Sequence, residues 1–295
     1  MFVLLIAASG SALCETLPSI REGNVTVFFE PALKKAARQI AADYPTILGE
    51  LEESLGWTLH EPASVLIIQD RVRFQRMAES PLTVAFAVPA RRLIVMDYPR
   101  VHSRPFGLAN TLKHELCHLV LHRHIGEREL PRWLDEGVCQ WVSDGLADIF
   151  IRQRNSPLNR AAIGGDFIPF SALNKQFPSQ EEPLMLAYEQ SRDFVSFIIA
   201  EYGKEGLLNL LERLKGGGEV QGAFRETFSV SMNELEKRWQ QSVDSRLTWF
   251  VYLSYHIYEF LFAFMALISV LAFVKVLIKK RQQASDESAE EYPWC

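Results

Sequence analysis

His114-Glu115-Leu116-Cys117-His118 and, further on, Trp133-Leu134-Asp135-Glu136-Gly137 are the two segments from which the rest of the chain can be ordered. If 110–124 is helical, His114 and His118 lie one turn apart on one face, so both imidazoles can reach a single metal ion. Glu115, about 100° further round, points beside that ion. Zn²⁺ that does chemistry takes a third protein ligand and keeps one position open. Glu136, on a second helix that opens at Pro131, is placed to be that ligand. The pattern therefore predicts a zinc site of His114, His118 and Glu136 with Glu115 as general base; the bland alternative is a helix that carries two histidines by accident.

These two segments resemble the gluzincin metallopeptidases, in particular the peptidase MA-like domains related to the aminopeptidase and thermolysin groups. The resemblance extends over about Asn24 to Val243 and is specific at the two zinc segments. It implies the same ligands and the same base, zinc as cofactor, and a peptide or protein as substrate. Seventeen residues separate His118 from Glu136, one fewer than is usual in the aminopeptidase group. Those enzymes also place a tyrosine on a helix downstream of the glutamate ligand, which carries over here to Tyr188 as a donor to the oxyanion; an ordinary helix tyrosine is the competing reading. In gluzincins a sheet edge pairs its backbone with extended substrate, which implies Ala85-Phe86-Ala87 or Leu93-Ile94-Val95 in that role, or a plain buried strand. The segment that holds a substrate's α-amino group in aminopeptidases is not recognisable.

The chain has 295 residues, 48% of them hydrophobic and 23% charged, with a net charge of −5. That is enough for one catalytic domain of about 220 residues and gives no reason to propose nucleic-acid binding. Nothing in the pattern speaks to oligomeric state. Four cysteines are too few for a disulfide framework. Cys117 and Cys139 each sit on a zinc helix, and helices that share a metal approach closely; the expectation is two small buried thiols, with a bridge as the alternative in an oxidising compartment.

Residues 1–13 form an apolar run too short to span a bilayer, so 1–14 reads as a secretory signal, although no Lys or Arg precedes it. At the other end, 260–278 is apolar except for Lys275 and follows Trp249, Tyr252, Tyr255 and Tyr258, and the run from about 256 to 278 is long enough to cross a membrane. Lys279-Lys280-Arg281 then begin a polar tail, 279–295, expected in the cytoplasm. The folded domain, 24–246, would stand outside the cytoplasm. Without a signal the span becomes a tail anchor and the domain faces the cytosol.

Between these ends the pattern is α+β: a small mixed β-sheet with helices, then a mainly helical zincin part, plus one C-terminal transmembrane helix. Strands are expected at 24–29, 64–69, 83–88 and 91–96, the last two as a hairpin across Pro89-Ala90. Helices are expected from Pro31 to Leu55, over 70–79, 110–124 and 131–143, and then, beyond an irregular stretch 151–182, over 183–202, 204–215 and 219–228. Ser231 and Glu234 form a capping box for the last one. His122 and His124 read as cations in the final turn of the metal helix, where the helix dipole favours them. Asp135, Gln140 and Asp144 are candidates to orient a ligand histidine. The leading expectation is a membrane-anchored zinc peptidase; the other is an inactive peptidase-like binding or assembly module tethered to the membrane.

Overall fold

A computed structural model describes residues 17–78, 80–103, 107–126, 130–143, 156–215 and 219–290, the backbone alone for 248–256 and 281–290. The proposed signal, 1–14, lies outside the described residues.

Alternation of apolar and polar residues builds the sheet. Strand β2 (Val25–Phe29) buries Val25, Val27 and Phe29 and leaves Thr26 and Phe28 partly open, as a period of two requires. β1 (Ser19–Glu22) pairs antiparallel with it; β3 (Ala63–Ile68) and β5 (Leu93–Asp97) follow in parallel, and β4 (Ala85–Val88) closes the order β1-β2-β3-β5-β4 as an antiparallel edge. The expected hairpin is present, and its turn runs through Pro89–Arg91 to Arg92 at φ 50°. Leu93-Ile94-Val95 is hydrogen-bonded on both sides, whereas β4, among the described residues, has a strand neighbour only in β5.

The parallel β2–β3 crossover is α1 (Lys34–Leu55), whose stripe Ala36, Ala37, Ile40, Ala41, Tyr44 and Ile47 is buried. Gly56, in the left-handed region at φ 73°, ends it by returning its N–H to the Glu52 carbonyl. α1 and the metal helix α4 (Leu108–His124) pack against each other and on the sheet, α1 over β2 and α4 over the edge strand β4. Leu66, Ile68 and Val95 face the other way, into a small core shared with Phe74 of α2 (Arg71–Gln75). A short helix, α3 (Tyr98–Val101), leads from β5 toward α4.

The helical part begins with α5 (Arg132–Ser143), which packs against α4 on one side and against the long α7 (Glu181–Leu214) on the other. The stretch expected to be irregular contains a helix, α6 (Pro157–Gly164), and a 3-10 turn at Phe170–Leu173. Ser156 caps α6 and Pro157 starts it, but its anchorage comes from α7. Glu189 accepts from Ser156 Oγ and Leu158 N–H, and the Gln190 amide bonds both N–H and C=O of Ile168. The two helices expected at 183–202 and 204–215 are both present within α7 and meet at a kink at Gly203, whose non-helical φ of 74° and ψ of 169° are open to glycine. α8 (Val220–Phe228) packs on α7, and α9 (Met232–Glu290) starts at Ser231, whose hydroxyl accepts from Glu234 N–H. Trp133, Phe170, Phe194 and Trp239 make the aromatic centre of this half, with ring centroids 4.4 to 5.6 Å apart.

The chain divides into two units, Met1–Gln241 and Ser242–Cys295. In the second, Ile257–Lys280 is long and apolar enough to cross a membrane, and every side chain in it is exposed.

Candidate metal centre

Two contacts bring α5 onto α4 and fix its depth. A Cβ on Gly137 would lie 2.5 Å from the Ser191 carbonyl oxygen and 2.7 Å from Val195, so only glycine lets α5 press this close to α7. On the opposite side Cys117 and Cys139 are joined by a disulfide, with their Cα atoms 5.3 Å apart. The expectation of two thiols is thereby corrected. The physical reason is the one that would make a shared metal possible: the two helices approach within bridging distance where the faces with the candidate ligands meet.

His114, His118 and Glu136 converge. The two Nε2 atoms are 3.3 Å apart, and Glu136 Oε2 is 3.5 Å from that of His114 and 3.8 Å from that of His118. Donors held at zinc's bond lengths in a tetrahedron sit about 3.3–3.4 Å from one another. His114 and Glu136 are buried and His118 nearly so. The donor set and spacing therefore fit a zinc ion held by two imidazoles and one carboxylate.

The orientation of His118 follows from its other nitrogen. Nδ1 lies 2.8 Å from Asp135 Oδ1, and a carboxylate only accepts, so Nδ1 carries a hydrogen and Nε2 is the nitrogen turned to the cluster, with a lone pair to offer once it holds no proton. The second oxygen of Asp135 accepts from His122 Nε2 at 2.8 Å. His122 is thus half-buried and committed to Asp135 rather than displayed at a helix end. His124 stacks on Trp57 at 4.1 Å and pairs with Glu212. Of the three candidates to orient a histidine, Asp135 does so; the amide of Gln140 is buried with no hydrogen-bond partner among the described residues, and Asp144 lies outside them.

Charges in the cluster are strongly coupled. Burial works against an imidazolium at His118, but the adjacent Asp135, with Glu136 and Glu115 behind it, pushes the group up to about 10. Burial alone would raise Asp135; the His118 and His122 imidazoles overcome it and hold the acid well below the usual carboxylate range. Glu136 is likewise held low against burial, by His114, His118 and Arg132. Glu115 goes the other way. Burial raises it, opposed by both histidines and aided by Glu136 and Asp135, and a carboxyl raised in this manner is suited to taking and giving a proton.

Tyr188, on α7, reaches the same electrostatic neighbourhood. Burial and the Glu136 carboxylate raise its hydroxyl, while Arg132 bonds to it and pulls it back. Arg132 went unread in the sequence. It stands one helical turn before Glu136, a spacing that could have been read as an i,i+4 ion pair, and its guanidinium is 3.9 Å from Glu136 Oε1.

Residues 47–245 match the family model of the Peptidase MA superfamily. The chain belongs to this superfamily. That bears out the gluzincin resemblance, and the fold of this Peptidase MA member is that of a metallopeptidase. Solved structures similar to it include native leukotriene A4 hydrolase of yeast (15% identity, 78% of this chain and 38% of that chain, TM-score 0.44). The yeast enzyme in complex with bestatin gives 14%, 78%, 38% and 0.46, and an M1 zinc metallopeptidase variant from Deinococcus radiodurans gives 11%, 77%, 49% and 0.42. The chain spans less than half the length of these structures. No curated protein matches its sequence.

Proposed function

We propose that this chain is a membrane-anchored zinc peptidase, with His114, His118 and Glu136 holding the metal, Glu115 as general base and Tyr188 as a donor to the substrate's developing oxyanion. The observation that carries the reading is the convergence of three ligand atoms within 3.3 to 3.8 Å on a pair of buried helices, with a raised carboxyl, Glu115, coupled to the same cluster. Zn²⁺ held by these ligands supplies Lewis acidity, which lowers the pKa of a water and polarises the scissile carbonyl. Glu115 takes the proton of the attacking water and passes it to the leaving amine. Tyr188 donates to the carbonyl oxygen as it gains negative charge, an interaction strongest in the transition state.

The free edge of β4 supports extended peptide as the substrate class. Among the described residues its outer N–H and C=O groups have no strand neighbour, and the strand packs on the helix that carries both histidines, so a peptide added there would run past the proposed ligands. Of the two segments considered for this role, Ala85-Phe86-Ala87 is the one we assign.

We further propose a signal at 1–14, the peptidase domain at 24–246, a span at 256–278 and a cytoplasmic tail at 279–295, with the peptidase domain outside the cytoplasm. The Cys117–Cys139 bridge supports that side, because disulfides persist in oxidising compartments. Zinc content and a peptide-library digest test the reading together. The wild-type domain should hold about one zinc per chain and cleave peptides, and His118→Ala should lose most of the metal and the cleavage. Full metal retention by that variant would sink the ligand assignment.

A further inference from the structure

Arg132 occupies a position that helix electrostatics disfavours. It is the first residue of α5, where the unpaired N–H groups carry partial positive charge and a cation is unwelcome. The arginine is nevertheless held from several sides. Its backbone N–H donates to the Asn174 carbonyl at 2.8 Å, and the side chain of the same Asn174 accepts from Trp133 Nε1 at 3.1 Å, so the start of α5 is fixed. Its guanidinium lies over the Phe177 ring, 5.4 Å from the centroid, and Phe177 in turn meets the Tyr188 ring edge-on at 5.0 Å. It bonds to the Tyr188 hydroxyl and faces the outer oxygen of Glu136 at 3.9 Å, while the other oxygen of Glu136 faces the two histidines.

Donor and acceptor chemistry then dictates the direction of the tyrosine. A guanidinium has only donors, so the Tyr188 oxygen must accept from it, and the single hydroxyl hydrogen is left to be donated elsewhere. The Glu136 carboxylate, whose charge acts on Tyr188, is an acceptor that would compete for that hydrogen, and Arg132 faces its outer oxygen at 3.9 Å. A hydroxyl that accepts a charge-assisted bond also becomes a better donor.

We propose that Arg132 is a positioning residue for the reaction, holding Tyr188 so that its one hydrogen is presented to the substrate's carbonyl oxygen and not to Glu136. The inference rests on the zinc-peptidase reading above. Arg132 acts through Tyr188 and touches neither metal nor scissile bond.

The test uses the zinc-loaded full chain and a phosphinic peptide, a tetrahedral, anionic mimic of the reacting carbonyl. Its affinity is measured by calorimetry for wild type, Tyr188→Phe, Arg132→Met, Arg132→Lys and the double variant Arg132→Met/Tyr188→Phe. Arg132→Met should weaken binding by roughly 10- to 100-fold and lower kcat by a similar factor with KM little changed. Arg132→Lys, which keeps the charge and loses the planar fork, should recover part of the loss. The double variant should be no worse than Tyr188→Phe, since one residue works through the other. Zinc content and melting temperature should stay at wild-type values throughout. Wild-type affinity in Arg132→Met, losses that multiply in the double variant, or loss of zinc from Arg132→Met would each overturn the role. Failure of the wild type itself to bind the phosphinic peptide would overturn the underlying peptidase reading instead.

Discussion

Asp135 faces two imidazoles at once, and that double contact decides how His118 can be used. By accepting from His118 Nδ1 it turns Nε2 inward, and by accepting from His122 as well it is itself kept ionised and in place. The same arrangement predicts a proton count. In the metal-free protein His118 is raised to about 10, so at neutral pH it carries a proton that a metal ion must displace. Zinc binding near pH 7 should therefore release about one proton per ion, read from calorimetry in buffers of different ionisation enthalpy, and affinity should rise as pH climbs toward 10. A pH-independent affinity between 7 and 9 would remove Asp135 from this role. Glu115 gives the second prediction at this scale. Glu115→Gln preserves shape and takes away the base, so zinc content and melting temperature should hold while turnover falls by about 10² or more. An active Glu115→Gln enzyme would rule out the mechanism.

At the scale of elements, the site is a statement about how two helices are held. α4 and α5 carry all the proposed ligands, and they are held at this approach by Gly137 on one flank and the Cys117–Cys139 bridge on the other. Gly137→Ala forces α5 away from the α7 backbone at Ser191, an overpacking that should cost about 1–3 kcal/mol in denaturant unfolding. The bridge closes a loop between cysteines 22 residues apart, which in the chain-entropy account is worth about 3 kcal/mol. A Cys117→Ala/Cys139→Ala double variant should show a loss of that order, and unchanged stability would mean that packing alone holds the pair. These elements also show what the sequence made legible. Periodicity and turn signals placed α1, α4 and α5 and the β4–β5 hairpin, because their apolar spacing, Pro31, Pro131 and the Pro89 turn are local signals. α6 was read as loop although Ser156, Pro157 and Gly165 mark both its ends, since a helix of eight residues is stabilised by tertiary contacts, here Glu189 on a helix distant in sequence. The ligands were legible because they repeat at one turn. Arg132 was not, because its significance lies in Phe177 and Tyr188, which only folding brings to it.

For the whole molecule, the proposed anchoring turns on which side of a membrane the unit Met1–Gln241 would occupy. The helix from Ile257 to Lys280 exposes Phe262 at 78%, Phe273 at 63% and every other apolar side chain along its length, an arrangement that water disfavours by roughly 1.5–3 kcal/mol for each large residue and a bilayer core accepts. Lys279 and Lys280 at its far end agree with a cytoplasmic tail, but Lys237, Arg238 and Arg246 precede it, so charge alone does not set the orientation. The disulfide provides a separate handle, because both sulfurs are buried in the peptidase unit and were joined wherever that unit folded. The two observables should therefore agree. A cytoplasm-dependent fluorescent reporter fused after Cys295 should be bright and an export-dependent phosphatase at the same position silent, while thiol labelling of membranes quenched in acid should find Cys117 and Cys139 blocked until a reductant is added. An active phosphatase together with free thiols would mean that the span is a tail anchor and that the peptidase works in the cytosol, with its two zinc helices held by packing alone.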